Sequence, residues 1–295
     1  MFDFKEITLE DMPIFESYTN TLPYLNDNLC FVDLLLWQQI YKTKYCIHNG
    51  SLLIRYYNES KNKYFYVSPL GGEFLSTVKD LISYDNSTML TGVSEENLEI
   101  LKKEYPDLVY REERDFENYI YKSEKLINLA GKKLHSKRNH INKFKLTYEG
   151  RWEYKDMTAE DIRLVFAFHL KWCELNDSNE DLDIIGETTA IATALRNFEA
   201  LKLKGGYLLL DGEIIAFTIG SPCGSEMFMV HIEKADASIN GAYQMINNCF
   251  ARANFAPYNY INRQEDLGIE GLRKAKLSYY PDILEKVYTA FWGVN

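Results

Sequence analysis

The chain has 295 residues, 46% hydrophobic and 14% aromatic, with 33 basic against 43 acidic residues and a net charge of −10. This composition excludes global disorder, supplies apolar material for two cores, and argues against bulk DNA binding, since an acidic surface repels the backbone. Five widely spaced cysteines without a Cys-x-x-Cys pair read as reduced, mostly buried thiols of a cytoplasmic protein, not as a zinc ribbon or disulfide framework.

The start, Met1-Phe2-Asp3-Phe4-Lys5-Glu6, has no basic region followed by an apolar stretch, so no secretory signal is expected. Phe4-Lys5-Glu6-Ile7-Thr8-Leu9-Glu10-Asp11 predicts a strand feeding a helix, with Thr8 as its cap and Asp11 at its positive end. The apolar run Leu29 to Tyr41 is too short to span a bilayer and carries Asp33. Tyr45 to Ile47, the turn Asn49-Gly50, and Leu52 to Ile54 predict a hairpin, followed by a third strand at Tyr64 to Val67. Lys122 to Lys145 then holds eight basic residues against one acid, so this segment is +7 and the rest of the chain −17. It is either a solvated helix face or a cationic patch for a phosphate-bearing ligand.

The pattern now repeats. Tyr154-Lys155-Asp156-Met157-Thr158-Ala159-Glu160-Asp161 stands 150 positions after its first copy, again with Thr-x-x-Asp. Ile162, Val165, Phe166, Leu170 and Cys173 share one helical face. Tyr207 to Leu210, Asp211-Gly212 and Ile214 to Ile219 predict a second hairpin, with a third strand at Met227 to Ile232. Tyr110 to Asp115 also aligns with Ile261 to Asp266 at an offset near 151. Gly71-Gly72 and Gly205-Gly206 read as turns. The expectation is a duplicated α+β (mixed α/β) chain: a first domain over 1–125, a basic helical linker over 126–149 and a second domain over 150–295. Each half is a mixed, mostly antiparallel sheet with packed helices, not a doubly wound nucleotide fold. No GxGxxG or GxxxxGK[ST] occurs.

Polar groups concentrate between Glu226 and Tyr280. Glu233, Lys234 and Asp236 end the predicted strand, where open sheets place ligands. Glu233 is either a general base or one of several solvent-facing charges, and Lys234 could neutralise a carboxylate or phosphate. His231 reads as a half-buried strand residue. Ile239, Ala242, Ile246 and Cys249 mark the buried stripe of a helix that Ser238 or Asn240 could cap. Gly241 there would let a ligand approach the backbone amides, beside Gln244. Asn262, Arg263, Glu265 and Asp266 precede two glycines. Arg263 could fork onto an anion, or the group could be a structural Asp–Arg network. Arg273, Lys274 and Lys276 form a second basic cluster, and Tyr279 or Tyr280 could donate a proton to a leaving group. His169 and Cys173, four apart on a helix, read as core rather than metal ligands, and no metal site is expected.

Taken together, His231-Ile232-Glu233-Lys234-Ala235-Asp236, Gly241-Ala242-Tyr243-Gln244, Asn262 to Gly268 and Leu272 to Leu277 resemble a bacterial uncharacterised family related to the C-terminal domain of phosphatidylglycerol lysyltransferase. Phe31 to Trp37, Ser68-Pro69-Leu70 and Lys137-Arg138-Asn139 support the likeness. The resemblance implies tandem GNAT-like (acyl-CoA N-acyltransferase-like) domains, as in Fem-type aminoacyltransferases. It implies transfer of an acyl or aminoacyl group from a thioester or aminoacyl-tRNA donor to an amine or hydroxyl. In that reading Glu233 is the base and Tyr279 a proton donor. Lys137, Arg138, Asn139, Lys234, Gly241, Gln244, Asn262, Arg263, Glu265 and Asp266 bind donor or acceptor. No covalent cofactor is implied; the donor is acyl-CoA or aminoacyl-tRNA, a small anionic or tRNA-borne partner. Ser238-Ile239-Asn240-Gly241-Ala242 replaces the [QR]xxGx[GA] loop of acetyl-CoA enzymes, which places an aminoacyl-tRNA donor on at least equal footing. A non-catalytic anion-binding module and a tyrosine-rich interaction scaffold are the alternatives.

Overall fold

The computed structural model describes residues 2–23, 25–59, 61–175 and 182–293. In the first half, α1 (Met12–Thr19) and α2 (Phe31–Tyr41) precede the hairpin β1 (Lys44–His48) and β2 (Ser51–Asn58). Asn49 (φ 50°) and Gly50 (φ 72°) supply the left-handed turn that the sequence predicts. Then come β3 (Lys63–Val67), α3 (Phe74–Tyr84), β4 (Met89–Val93), α4 (Glu95–Glu104), β5 (Val109–Glu112) and β6 (Asn118–Lys122). The basic segment forms α5 (Ser123–Asn128) and α6 (His135–Thr147).

The second half runs β7 (Trp152–Asp156), α7 (Ile162–Leu175), α8 (Leu182–Arg196), β8 (Lys204–Leu210), β9 (Glu213–Cys223), β10 (Met227–Ala235), α9 (Ala242–Asn254), β11 (Tyr260–Asn262), α10 (Glu270–Leu277), β12 (Ile283–Glu285) and β13 (Tyr288–Phe291). Gly205 and Gly206 lie inside β8, not in a turn. The side chains of Met157 and Tyr154 cross directly over them and leave no room for a Cβ.

The duplication extends to hydrogen bonds. Thr8 and Thr158 each form a reciprocal capping box, with Asp11 and Asp161 as partners. The Tyr45 hydroxyl donates to Asp11 Oδ1 at 2.5 Å, and its counterpart Tyr207 donates to Asp161 Oδ1 at 3.0 Å. Sheet orders correspond strand for strand: β1-β2-β3-β4-β13-β5 in the first sheet and, read from its other edge, β7-β8-β9-β10-β11-β6-β12 in the second. The Lys5–Tyr45 bridge stands where β7 pairs with β8. The terminal strands are exchanged, so β6 of the first half lies in the second sheet and β13 of the second half lies in the first. Sheet membership is therefore not the same as the chain segments 1–125 and 150–295. The alignment of Tyr110–Asp115 with Ile261–Asp266 fails. β11 lies parallel to β10 as β4 lies parallel to β3, whereas β5 is an edge strand whose counterpart is β12.

Three apolar cores result. α3 and α4 cover the outer face of the first sheet through Val78, Leu81, Leu98 and Leu101. α1, α2, α7 and α8 fill the seam between the two sheets. α5, α6 and α9 cover the outer face of the second. No helix among the described residues is long and apolar enough to cross a membrane. Cys30, Cys46, Cys173 and Cys223 are buried free thiols, and Cys249 is half-buried.

Candidate functional site

The site forms where β10 and β11 part. They pair in parallel only from Met227–Tyr260 to Met229–Asn262. A bulge between Val230 and Ile232 then bends β10. Two successive residues, His231 and Ile232, consequently turn toward the seam, and Glu233 emerges on the α9 side.

There Glu233 Oε1 accepts from Arg263 Nη2 at 2.9 Å and Oε2 from Asn247 Nδ2 at 2.9 Å. The Arg263 guanidinium lies 5.0 Å from the Tyr279 ring centroid, and Lys137 Nζ lies 4.2 Å from the same ring. Lys137 is only 8% exposed, and no carboxylate among the described residues pairs with it. Burial, reinforced by the neighbouring Arg263 charge, pushes its amine down to about 8. Burial also raises the Tyr279 phenol far above its usual range, so it stays protonated. Arg263 Nη1 is a buried donor without an acceptor, and Asn247 Oδ1 a buried acceptor without a donor. Two cations thus crowd a largely dehydrated niche in which Glu233 bonds Arg263 and not Lys137, with hydrogen-bonding capacity left on both sides.

The opposite face of the same fork is tied to the first half. Asp33, on α2, faces His231 Nδ1 at 3.0 Å and accepts from Gln264 Nε2 at 2.6 Å. His231 Nε2 lies 2.8 Å from Ser221 Oγ. The three groups form a Ser–His–Asp relay in which Ser221 and the His231 side chain are each 1% exposed and every polar contact is internal, so it ties the halves together. Burial, the largest single influence, lowers the His231 pKa; the Asp33 hydrogen bond together with the charges of Cys30, Asp33 and Asp27 outweighs it, and the net direction is upward. Gln264 N donates to Asn262 Oδ1, and Asn262 Nδ2 donates to Asn118 Oδ1 and Leu25 O. The network clamps both arms of the fork.

The sequence-derived candidates divide accordingly. Glu233, Arg263, Lys137 and Tyr279 come together. Lys137 is not part of a solvated patch, because α6 turns it into the core beside Ile141 and Phe144. Arg138 instead donates to the carbonyls of Leu129 and Gly131, closing the end of α5. Asn139 meets His135 on the surface. Lys234 faces the seam side, paired with Glu187 at 2.7 Å and stacked over Trp172. Asn262 belongs to the clamp. Asp266 accepts from Arg273, Arg114 and Tyr119, which is the structural Asp–Arg network. The backbone carbonyl of Glu265 accepts from Lys276. His169 packs against Thr188 and Cys173 in the core.

Two details of the α9 terminus also differ from expectation. Neither Ser238 nor Asn240 caps it; Gly241 does, at φ 91°. The close approach that requires glycine comes from α6, since a Cβ would lie 2.9 Å from His140 O and 3.1 Å from Phe144 Cβ. Residues 237–244 and His140 nevertheless line a concavity of about 390 Å³, with Gln244 in its wall. Sequence reading missed Asp33, Ser221, Asn247 and the bonding role of Gln264. Asp33 alone left a signal, as a carboxylate inside an apolar helix.

Residues 20–291 match the family "Phosphatidylglycerol lysyltransferase, C-terminal". A conserved protein of unknown function from Bacteroides thetaiotaomicron VPI-5482 is 38% identical, with a TM-score of 0.93 over 99% of this chain and 100% of that one. The structure of L-PGS from Bacillus licheniformis is 15% identical, with a TM-score of 0.63 over 99% of this chain and 95% of that one. A tandem GNAT protein from the clavulanic acid biosynthesis pathway, 7% identical, superimposes with a TM-score of 0.51 over 100% of both chains. An uncharacterised protein of Mycoplasmoides gallisepticum is 30% identical over 204 residues, 68% of this chain and 62% of its own length. The chain belongs to the phosphatidylglycerol lysyltransferase C-terminal family, with a tandem GNAT-like, acyl- or aminoacyltransferase-like fold.

Proposed function

We propose that this protein transfers an acyl or aminoacyl group to an amine or hydroxyl, and that the reacting carbonyl lies in the fork between β10 and β11. The carrying observation is the unpaired set around Glu233: the free Arg263 Nη1, the carboxylate-less Lys137 amine and the open Asn247 Oδ1. A buried unpaired amine costs stability, so its retention points to use. Arg263 Nη1 donates to the carbonyl oxygen and stabilises the negative charge that develops on it during attack. Lys137, whose amine is lowered to about 8, accepts in its neutral fraction the proton of the attacking nucleophile, and passes it to the departing thiol or tRNA hydroxyl as the tetrahedral adduct collapses. Glu233, with both oxygens engaged, holds Arg263 in position. The Tyr279 ring supports both cations.

Thioester and tRNA donors share a phosphate-rich arm. Lys132, Lys133 and Lys143 are exposed on the α5–α6 segment, and His140 of α6 borders the concavity at residues 237–244. That arm crosses α6 there, and its binding weakens with salt. The test is filter binding and thermal shift with CoA thioesters and charged tRNAs on wild type, Lys137→Met and Arg263→Lys, at two salt concentrations. Salt-sensitive binding of one donor class, followed by transfer in wild type but not in either variant, supports the reading. Binding of neither class, or transfer that survives both substitutions, overturns it.

A further inference from the structure

A second set of unused charges lies in the first half, far along the chain from the β10–β11 fork. β2 and β3 pair antiparallel with Arg55 opposite Tyr66, so Arg55, Tyr64 and Tyr66 share the outer face of the first sheet. With Tyr84, Asp85 and Asn86 at the end of α3 they line a concavity of about 570 Å³. The Arg55 guanidinium is sandwiched between rings, 4.1 Å from the Phe4 centroid and 4.2 Å from the Tyr64 centroid. Two aromatic faces hold it flat and restrict its rotamers. Among the described residues it has no hydrogen bond or ion pair, and its Nε is buried without an acceptor.

Asp85 stands in the same wall, yet no ion pair joins it to Arg55. Its Oδ1 is filled by Ser87 N at 3.0 Å and Ser87 Oγ at 2.9 Å. Among the described residues its Oδ2 receives the Tyr66 hydroxyl alone, at 3.2 Å, and retains room for a further donor. An anion alone would meet Arg55 at the expense of repulsion from Asp85, and a cation alone would meet the reverse. A ligand that carries both charged groups on one carbon satisfies the two together.

We propose that this concavity binds a zwitterion with neighbouring carboxylate and ammonium groups, a free α-amino acid. The carboxylate lies on the Arg55 fork, the ammonium faces Asp85 Oδ2, and the side chain packs on the Tyr64 and Tyr84 rings. The proposal is independent of the transferase reading, since no residue is shared between the two sites.

The experiment is titration of the full chain, followed by ¹H–¹⁵N NMR at residues 55, 64, 66 and 84–86. Glycine and each common L-amino acid are added singly, with acetate and methylammonium as half-ligands. At least one amino acid gives saturable shifts confined to these residues. Each half-ligand binds at least about tenfold more weakly, and Arg55→Gln weakens the best amino acid by about tenfold or more. Arg55→Lys, which keeps charge and stacking but loses the planar fork, weakens it too while its melting temperature stays that of wild type. Absence of saturable shifts with every amino acid overturns the proposal. So does acetate binding as tightly as the best amino acid, or unchanged affinity in folded Arg55→Lys and Arg55→Gln.

Discussion

The two halves share a strand order and a capping box, and they differ where their parallel strands part. In the first, β3 and β4 are parallel over Tyr66–Leu90 and Val67–Thr91, and neutral hydrogen bonds then close the gap: Ser68 N to Thr91 O and Asn97 Nδ2 to Ser68 Oγ. In the second, β10 continues past a bulge to nine residues, and Glu233 and Arg263 occupy the opening. The residue just after β4 is Ser94, an ordinary helix cap that accepts from Asn97 N; the residue just after β11 is Arg263. Duplication therefore preserved strand order, capping boxes and the Tyr–Asp bonds, while one bulge and a few side chains separated a closed fork from a charged one. Fold similarity alone does not distinguish the two halves; their side chains do, and the proposed reaction draws on the second alone.

The strongest way to break this comparison is to remove the residue after each fork. Arg263→Ala leaves Glu233 buried without its cation and costs about 3 kcal/mol in urea unfolding, with loss of donor binding. Ser94→Ala removes only a cap and costs about 1 kcal/mol. Equal costs would remove the distinction between the forks.

Next in size is the clamp. Asp33→Ala strands His231 and Gln264 and costs about 2 kcal/mol. Because the folded-state pKa of His231 is raised, its pairing with Asp33 contributes fully below about pH 6.5 and fades as pH rises through the raised value. The Asp33→Ala penalty is accordingly larger at about pH 5.5 than at about pH 8.5, and a pH-independent penalty would contradict the ion pair.

Lys137→Met acts in the opposite direction. The folded-state pKa of Lys137 is lowered to about 8, so the charged amine destabilises the native state below that value. The variant gains about 1–2 kcal/mol near neutral pH, and the gain disappears above about pH 10.5. A stability loss at neutral pH would show that Lys137 has a partner after all.

The smallest effect sharpens the symmetry. Thr8→Ala and Thr158→Ala each remove one reciprocal cap and cost about 1 kcal/mol, matched to within a few tenths. A large mismatch in chemical denaturation would mean that the two boxes are not energetic equivalents.

Much of the fold was legible because its signals are short-range. Asn49-Gly50 and Asp211-Gly212 define their hairpins within two residues, and each Thr-x-x-Asp defines a helix start within four. The candidate site was legible in part: Glu233 and Arg263 stood out as charges crowded beside strand ends, yet nothing local distinguished them from Lys234 and Asp266, which the fold turns to other tasks. Lys137 reads as one cation of a basic segment, either solvated face or anion patch, because a run of cations hides the one that helical phase turns inward.

The sequence by itself determined the duplicated pattern of strands, turns and caps, since each depends on backbone preferences a few residues long. Only the tertiary structure decided that β6 and β13 change sheets, that Arg263 meets Glu233 thirty positions away, and that Asp33 grips His231 across 198. Those pairings form when burial removes water from groups far apart in the chain, and a side chain's own neighbours carry no record of which distant partner will replace it.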